Sequence, residues 1–586
     1  MRQAKQQFSR LSDNAVTVLR RRYLCKDDAG RVVETPSHMF RRVAANIAQA
    51  ERLYGKKGSP AERETARSFE RIMGRLEFLP NSPTLMNAGR ELQQLSACFV
   101  LPVDDSLESI FDTVKHQALI HQSGGGTGFS FTHLRPKGDM VHTTSGIASG
   151  PVSFMRVFNM ATEVIKQGGT RRGANMGILR VDHPDILEFI DAKQDPRELT
   201  NFNISVGITD AFMRSVLQGR EYALVNPRTG RAIRRVKAQE VFDRLTAAAW
   251  KNGEPGIIFL DTINATSPTP HVGRIESTNP CGEQPLLPYE SCTLGSINLA
   301  KFVVRGTGTR SRPTIDFDRL AIIIHTAVRF LDNVLDMNQY PLPQIQEMTR
   351  GNRKIGLGVM GFADLLIRLN IPYDTDEALS LGERIMRFVR EQARTASTTL
   401  ACERGSFPNF KGSRLETEGL MLRNATLTTI APTGTISIIA DCSPGIEPLY
   451  GVSFVRTVME DVRLASVHPE FVRRAKAAGI YTSKLARRVA ENESIQGLME
   501  IPKDLRRLFV TAHDIPAKFH VQMQAAFQRY SDSGVSKTIN LPPSATKRDV
   551  AAAFLLAHRL GCKGLTVFRS GSREKQVMSC TNVQYC

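Results

Sequence analysis

The sequence contains no apolar run approaching the roughly 18 residues that a membrane-spanning helix needs, so we expect no integral membrane protein. Its first ten residues are basic but lead into no apolar stretch, and we therefore expect no secretory signal. It also has no internal repeat, no low-complexity tract and no linker rich in Pro, Gly or Ser. These absences predict a globular protein in the reducing cytoplasm.

The cysteine patterns of metal sites are also absent. None of the nine cysteines forms a CxxC pair or a Cys/His cluster with zinc spacing, so no structural metal is expected. Their odd number and wide spread do not fit a disulfide framework in a cytoplasmic protein. Two interpretations remain open at this point: buried inert thiols, or a redox-active subset among them.

Acidic residues are in deficit, since 58 Asp and Glu stand against 77 Lys and Arg, a formal net charge of +19. This excess favours anionic partners such as nucleic acid, phosphorylated metabolites or acidic proteins. Part of it is local, because residues 1–57 hold thirteen basic against five acidic side chains. No zinc-finger or RNP-type pattern accompanies this segment, so a solvated basic face is favoured over a nucleic-acid-binding arm.

What is present is ordinary for an enzyme: 586 residues, 41% hydrophobic and 23% charged, enough for a large core. Thr35-Pro36 predicts the start of a helix whose apolar residues recur from Met39 to Ile47. A second helix is predicted from the capping pattern at Asp105–Glu108 to the glycine run at 124–126. Its predicted apolar face comprises Leu107, Ile110, Phe111, Val114 and Ala118.

Short β-rich runs alternate with helical stretches beyond residue 170. Strands separated by helices predict βαβ units and a mostly parallel α/β architecture. A single large α/β domain with a helical N-terminal cap is the simplest interpretation. The runs are Asn203–Thr209, Gly256–Leu260, Ser296–Leu299, Thr426–Ala431, Thr435–Ala440, Thr538–Leu541 and Gly564–Phe568.

The glycine-rich stretch Ser123–Phe129 invites comparison with a phosphate-binding loop. No Lys-Ser/Thr pair follows it and no strand leads into it, so it does not match that motif. Taken alone, the stretch predicts a flexible turn.

The segment with the most informative chemistry is 277–293. Asn279, Cys281 and Glu283 alternate, and an extended segment would place all three side chains on one face. A carboxylate would raise the pKa of a neighbouring nucleophilic thiol. The pattern therefore favours a cysteine that acts as a radical, with the glutamate as general base toward a substrate hydroxyl. An unremarkable loop cysteine beside a turn remains the alternative.

Several separated motifs resemble the adenosylcobalamin-dependent (class II) ribonucleotide reductases, from about Leu11 to about Arg573. In this order and spacing the match is not coincidental. The motifs are Phe78–Gly89, Ser96–Cys98, Gln167–Gly173, Asn279–Pro285, Ala431–Ser437, Val535–Leu541 and Gly564–Arg569.

The resemblance implies a ten-stranded α/β barrel of two five-stranded halves with a catalytic finger loop inside. It implies that Cys281 is the thiyl-radical residue and that Glu283 takes the 3′-hydroxyl proton of the ribose. Asn279 would hold the ribose hydroxyls, and Cys98 and Cys292 would be the reducing pair. The implied product is a 2′-deoxyribonucleotide for DNA synthesis.

Further residues are implied by position. The expected ribonucleotide-binding residues are Ser82, Thr84, Ala97, Gly126, Thr433, Gly434, Thr435 and Ile436. For the 432–437 segment, the alternative is an ordinary turn between strands. A deoxynucleotide effector at a homodimer interface is expected to contact Asp105, Ser106, Arg135, Gln167 and Arg171. Asp105 has a second interpretation as a helix N-cap, and both roles are compatible.

The class can be argued separately. None of the ten tyrosines is adjacent to another, and the last predicted strand reads Leu565-Thr-Val-Phe568 where a class I enzyme has a tyrosine relay. The radical is then expected to be generated on site, by adenosylcobalamin. The resemblance implies that this cofactor is bound with its cobalt in the corrin and without a metal ligand from the protein. Two alternatives are a class I-type large subunit that needs a radical-generating partner, and a nucleotide-binding relative that has lost catalysis.

The resemblance also suggests three regions: a helical region 1–95, the barrel 96–573 with an effector-site insert near 105–177, and a tail 574–586. The start near Leu11 leads us to expect no ATP-sensing domain. In the tail, Cys580 and Cys586 are either a short thiol shuttle or the remainder of a longer segment. A thioredoxin-like protein or another dithiol is the expected reductant.

Overall fold

The computed structural model describes residues 9–55, 58–141, 146–165, 173–304, 312–458, 462–572 and 578–579. The N-terminal region is helical, with one short strand, Phe78–Pro80, at its end. Thr35 caps its helix as predicted, because its hydroxyl accepts a hydrogen bond from the His38 amide at 3.3 Å. The helices of this region are Asp13–Val18, continued by the π-helix Leu19–Tyr23, then Pro36–Ala48, the 3₁₀ helix Gln49–Tyr54, Pro60–Gly74 and Ser82–Asn87.

The remainder of the chain forms a barrel of parallel strands, numbered here in chain order. The first half contains β1 (Cys98–Leu101), β2 (Gly126–Ser130), β3 (Asn175–Arg180), β4 (Phe202–Ile208) and β5 (Gly256–Phe259). The second half contains β6 (Leu294–Asn298), β7 (Gly356–Met360), β8 (Thr538–Leu541) and β9 (Gly564–Arg569).

The fifth strand position of the second half is taken by a segment held by single bridges. Thr428 pairs with Leu357 and Ile430 pairs with Val535, both in parallel. The predicted β-run at 426–431 therefore lies in the sheet without forming a regular strand.

Two antiparallel junctions join the halves. Strands β1 to β5 are parallel neighbours in sequence order, and β5 pairs antiparallel with β9. At the other edge, the short strand Ser291–Cys292 pairs antiparallel with β1 and leads into β6. The expected α/β barrel of two five-membered halves is thus confirmed.

Helices connect the barrel strands and cover the outside. The 3₁₀ helices are Leu299–Phe302 and Pro408–Phe410. The α-helices are Leu107–Gln122, Pro151–Val164, Ile186–Asp191, Asp210–Leu217, Ala238–Asn252, Leu260–Ala265, Phe317–Met337, Pro343–Asn352, Phe362–Leu369, Asp376–Arg404, Arg414–Thr417, Ile436–Ile439, Pro469–Ala477, Ser483–Glu491, Lys503–Leu508, Ala517–Gln528 and Lys547–Arg559.

Short strands pair outside the main sheets. Two hairpins are Glu221–Val225 with Ala232–Lys237, and Ser453–Val458 with Val462–Val467. Met578–Ser579 adds to the edge of the second hairpin. The remaining two-residue pairs are Met140–Val141 with Gly146–Ile147, Ser277–Thr278 with Pro285–Leu286, and Val303–Val304 with Thr314–Ile315.

Three expectations were wrong in detail. The run predicted as a strand at 435–440 is the helix Ile436–Ile439, and the glycine run predicted as a turn continues into the buried strand β2. The N-cap of the helix Leu107–Gln122 is Ser106, whose hydroxyl accepts from the Ser109 amide, and not Asp105. Among the helices described, none is long and apolar enough to cross a membrane.

A buried ion-pair network fixes the N-terminal helices to the barrel. Arg404, at the end of a long barrel helix, pairs with Glu51 at 2.7 Å and with Asp332 at 2.8 Å, and all three side chains are buried. Such a network holds only when every charge is matched. It joins the two regions at one defined position.

Candidate active site

The predicted catalytic finger is a short hairpin inside the barrel. Strands Ser277–Thr278 and Pro285–Leu286 pair antiparallel, and the Gly282 amide donates to the Asn279 carbonyl at 3.1 Å to close the turn. Gly282 has φ +80°, a conformation that glycine adopts without strain. Residues 279–282 are therefore a turn, and the extended segment predicted from the alternating pattern was wrong.

Glycines on the barrel strands allow the hairpin to approach closely. A Cβ atom at Gly128 would lie 1.8 Å from the Thr278 carbonyl oxygen, and one at Gly126 would lie 2.9 Å from the Pro280 ring. From the other half of the barrel, the Gly534 amide donates to the Glu283 carbonyl at 2.7 Å. The Thr429 hydroxyl donates to the same carbonyl at 3.0 Å. The finger is thus held from both halves.

The two predicted reducing cysteines lie opposite each other. Cys98 in β1 and Cys292 are direct register partners of an antiparallel pair, and both are buried. Directly opposed residues in such a pair have Cα atoms about 4.5–5.5 Å apart. That separation falls within the range of about 4.4–6.8 Å that a disulfide spans. The barrel junction therefore provides the proximity that a two-electron thiol donor requires.

Asn279 and Glu283 connect the finger to these thiols. The Asn279 amide donates to Cys98 Sγ at 3.3 Å, while its carbonyl oxygen accepts from the Gln284 amide at 3.0 Å. Asn279 and Glu283 are both buried. Cys281 stands between them in the chain, exposed at the tip of the turn.

Burial controls the ionisation of this site. Loss of solvent raises the pKa of Glu283 to about 7, although a hydrogen bond from Asn279 opposes the shift. No described group hydrogen-bonds to Glu283 Oε2, so this acceptor is available to a substrate hydroxyl. Burial, assisted by Cys98 and Glu283, raises the pKa of Cys292 well above its ordinary value. The site therefore combines a base near neutrality with a protonated thiol.

A cavity of about 440 Å³ adjoins the tip of the finger. Cys281 lies in its wall, together with Tyr450, Lys537, Val567 and Phe568. This volume is in the usual range for a small-molecule site. The mixture of apolar strand residues and polar groups such as Ser205 and Thr538 fits an organic cofactor that must reach the thiol.

The predicted substrate-binding residues fall into two groups. Ala97 and Gly126 lie beside the reducing pair and the finger: the Ala97 amide donates to the Cys292 carbonyl, and the Gly126 amide donates to the Ala97 carbonyl. Ser82 lies at the start of a helix, where its hydroxyl shares a 2.7 Å hydrogen bond with Tyr23. Thr84 is buried, and its hydroxyl donates to the side chain of Asn81, the N-cap of this helix, and to the Leu95 carbonyl, so the contacts of this hydroxyl are structural.

The second group is the 433–436 loop. Thr433 adopts φ +50° and its hydroxyl accepts from the Gly445 amide at 2.8 Å, which fixes the turn. Gly434 has open space where a side chain would be, and Thr435 and Ile436 begin the short helix. No described group forms a hydrogen bond with the buried Ser437 hydroxyl or with the side-chain amide nitrogen of Asn81. These atoms can receive a polar ligand.

The predicted effector residues are only partly described. Asp105 accepts hydrogen bonds from the Arg135 amide and guanidinium, with an ion pair of 2.8 Å, and Ser106 caps the adjacent helix. The predicted residues Gln167, Arg171, Cys580 and Cys586 lie outside the described residues. Among the residues that the structure describes, no group of three His, Cys, Asp or Glu side chains is arranged for a metal ion.

Sequence reasoning missed the contacts that support the finger. Gly128 of β2 reaches it from the first half of the barrel, and Thr429 and Gly534 reach it from the second. Tyr23 likewise reaches Ser82 from the N-terminal region. Gly128 lies in the glycine-rich stretch, which was the available signal.

Comparison with known proteins places these features in one family. The model of the ribonucleotide reductase barrel domain matches residues 96–421 and 414–568, and that of the all-alpha domain matches residues 9–93. A vitamin B12-dependent ribonucleoside-diphosphate reductase of Thermoplasma acidophilum is 51% identical, over 97% of this chain and 80% of its own. A protein with the same description from Mycobacterium tuberculosis is 49% identical, over 97% and 81%.

A solved structure supports the fold. The class Id ribonucleotide reductase alpha subunit of Actinobacillus ureae superposes with a TM-score of 0.78 at 24% identity, covering 96% of this chain and 97% of its own. At that identity the likeness bears on the fold alone. The chain matches both domain models and is 51% and 49% identical to the two relatives named above, and these matches show that it belongs to the ribonucleotide reductase family.

Proposed function

We propose that this chain reduces ribonucleoside diphosphates to 2′-deoxyribonucleotides with adenosylcobalamin as the radical source. The observation that carries the proposal is the paired position of Cys98 and Cys292 beside Asn279 and Glu283, with Cys281 at the finger tip. A nucleotide-binding relative without catalysis would need none of these thiols. The names of the 49–51% identical relatives favour diphosphates and the cobalamin cofactor.

The cavity beside Cys281 is the proposed cofactor site. Its wall carries Val567 and Phe568 at the strand position where a tyrosine relay would otherwise deliver a radical from another subunit. When bound, adenosylcobalamin supplies homolytic cleavage of its cobalt–carbon bond. The chain itself provides the thiol in the cavity wall and the strands that line the cavity.

The protein groups then divide the reaction among them. Cys281, as a thiyl radical, takes the hydrogen atom from C3′ of the ribose, and Glu283 accepts the 3′-hydroxyl proton. The C2′–O bond breaks and the oxygen leaves as water. Cys98 and Cys292 give up two electrons and two protons and form a disulfide, and Cys281 returns its hydrogen atom to C3′. Overall, one ribonucleotide and one dithiol are converted to one deoxyribonucleotide, one disulfide and one water molecule.

The test uses purified protein with a ribonucleoside diphosphate, dithiothreitol and adenosylcobalamin. We expect formation of deoxyribonucleotide, measured by chromatography, and its loss in Cys281→Ser. The matched control is Cys402→Ser, because Cys402 is an exposed cysteine on an outer helix. Product that requires an added radical-generating subunit, or full turnover by Cys281→Ser, would overturn the proposal.

We propose further that the enzyme is a homodimer with an effector site at the interface. The helices Leu107–Gln122 and Pro151–Val164 expose Leu107, Phe111, Met160 and Val164, each more than half exposed, beside the Asp105–Arg135 pair. Light scattering should give twice the chain mass for the wild type and the chain mass for Phe111→Asp. A wild-type monomer at micromolar concentration contradicts the proposal.

A dithiol must restore the reducing pair after each turnover, and a thioredoxin-like protein is the proposed external donor. The strand Met578–Ser579 pairs with Ser453–Val458, a few residues beyond Tyr450 in the cavity wall. We propose that Cys580 and Cys586, which follow this strand in the sequence, act as a thiol shuttle to the reducing pair. Because the reducing thiols must stay reduced, we propose a cytoplasmic location.

A further inference from the structure

The peptide that precedes Cys281 has an anchor outside the finger. The side-chain amide of Asn203, in β4, donates to the Pro280 carbonyl oxygen at 2.8 Å. Of the seven residues of β4, all of them described, Asn203 alone is exposed, and its side chain lies in the wall of the cavity. The strand thus presents an amide where it faces the finger.

The anchor has a counterpart on the other side of the barrel. The Glu283 carbonyl is held by Gly534 and Thr429 of the second half, whereas the Pro280 carbonyl is held by Asn203 of the first half. The turn between these two carbonyls contains Cys281 and Gly282. Cys281 therefore lies between one polar contact from the first half of the barrel and two from the second.

We propose that Asn203 is a positioning residue for the Cys281 thiol. The Pro280 carbonyl belongs to the same rigid peptide plane as the Cys281 nitrogen. Fixing this oxygen fixes the orientation of the plane, and with it the direction of the N–Cα bond of Cys281, the residue that carries the thiol. The inference rests on the proposed function, in which the sulfur must reach both the cavity and the substrate carbon.

The expected effect follows from this geometry. Without the amide, the Pro280–Cys281 plane rotates more freely, because Gly282 imposes little restraint of its own. A displacement of a reacting atom by about 1 Å costs on the order of 100-fold in rate. Asn203 bonds to the finger and is not among the proposed substrate-binding residues, so we expect the loss to fall on kcat and to leave KM unchanged.

The first experiment compares Asn203→Leu with the matched control Asn540→Leu. Asn540 lies in the same cavity wall, but its amide donates to the Thr538 carbonyl at 3.4 Å and not to the finger. In the protein without cofactor, hydrogen exchange at the Cys281 and Gly282 amides should become at least tenfold faster in Asn203→Leu and stay unchanged in Asn540→Leu. In the loaded enzyme, Asn203→Leu should lower kcat at least tenfold with KM within twofold.

The second experiment restores the donor by pH. In Asn203→Asp the carboxylate cannot donate at pH 8, but its protonated form can, so the ratio of its kcat to that of the wild type should rise toward pH 5.5. The same ratio for Asn203→Leu should not change. The titratable groups in the cavity wall are Glu254, Cys281, Tyr450 and Lys537, and they are common to all three proteins.

Two results would overturn the proposal. One is an unchanged kcat with a raised dissociation constant for adenosylcobalamin, which would make Asn203 a cofactor contact. The other is equal, pH-independent behaviour of the Asp and Leu variants. If the wild type forms no deoxyribonucleotide, the proposed function fails instead, and the exchange comparison still decides whether Asn203 holds the finger.

Discussion

Replacement of Glu283 by glutamine removes a buried negative charge with almost no change of shape. Burial raises the pKa of Glu283 from 4.5 to about 7, and each unit corresponds to about 1.4 kcal/mol. Between pH 4.5 and pH 7, the Glu283 carboxyl group is deprotonated in the unfolded chain but still protonated in the folded chain. The free energy of unfolding of the wild type therefore falls by about 3 kcal/mol as the pH rises from 4.5 to 7, and this contribution is level at higher pH.

Glu283→Gln lacks this contribution. Urea unfolding at several pH values should show the variant gaining about 3 kcal/mol on the wild type between pH 4.5 and pH 8. Its turnover should fall by a factor on the order of 10²–10⁴, because the general base is gone. In the wild type, kcat/KM should rise with pH and reach half of its maximum near pH 7.

A matched control has the opposite sign. The pKa of Glu276 is lowered, because the hydrogen bond and charge of His133 outweigh the effect of burial. Glu276→Gln should therefore lose stability relative to the wild type as the pH rises through the carboxyl range, and it should retain turnover. A constant difference between Glu283→Gln and the wild type at all pH values, or turnover by that variant, would refute the reasoning.

Three further predictions concern the finger, the thiols and the interface between regions. Gly128→Ala should lower turnover at least 100-fold while the protein stays folded by circular dichroism, because the new Cβ meets the Thr278 carbonyl. Gly497→Ala, whose new Cβ meets open space, should keep its turnover. Equal activities of the two variants would contradict the close approach of the finger to Gly128. Iodoacetamide should label Cys402 well before the buried, protonated Cys292, as peptide mass spectrometry will show, and simultaneous labelling would contradict the raised pKa. Arg404→Met should lower the free energy of unfolding by about 3–5 kcal/mol in urea titrations, because the buried carboxylates of Glu51 and Asp332 lose one of their positively charged partners. A loss below about 1 kcal/mol would refute the role of the network.

Local signals predicted much of the fold. The Thr35-Pro36 cap, the parallel β-runs and the end of a helix at the glycine run depend on neighbouring residues, and the structure confirms them. The helix at 436–439 was missed because its β-branched residues also fit a strand, and tertiary packing decides between the two. The left-handed conformation of Thr433 turns the chain just before it, which no periodicity reveals.

The helix Leu107–Gln122 shows a different limit. Of the residues predicted to form its apolar face, Ile110 is buried, whereas Leu107 and Phe111 are exposed. The buried side also carries polar groups: Gln117 donates to Thr162 and to Asn175, at 2.6 and 3.0 Å. Hydrophobic spacing identifies the apolar face of a helix, but it does not show whether that face packs against the same chain or against another copy of it.

The site residues were identified by motif resemblance, whereas their positions in space are determined by the topology of the barrel. Cys98 and Cys292 lie 194 positions apart, and they meet because the barrel halves join through an antiparallel pair at that point. A shift of that register by one residue would turn one thiol to the opposite face of the sheet. The same closure brings Gly128 and Gly534 against the finger, and both must lack a side chain because backbone atoms occupy that space. Glycine at these two positions is therefore required by the distance between two chain segments, and a sequence read one window at a time contains no measure of that distance.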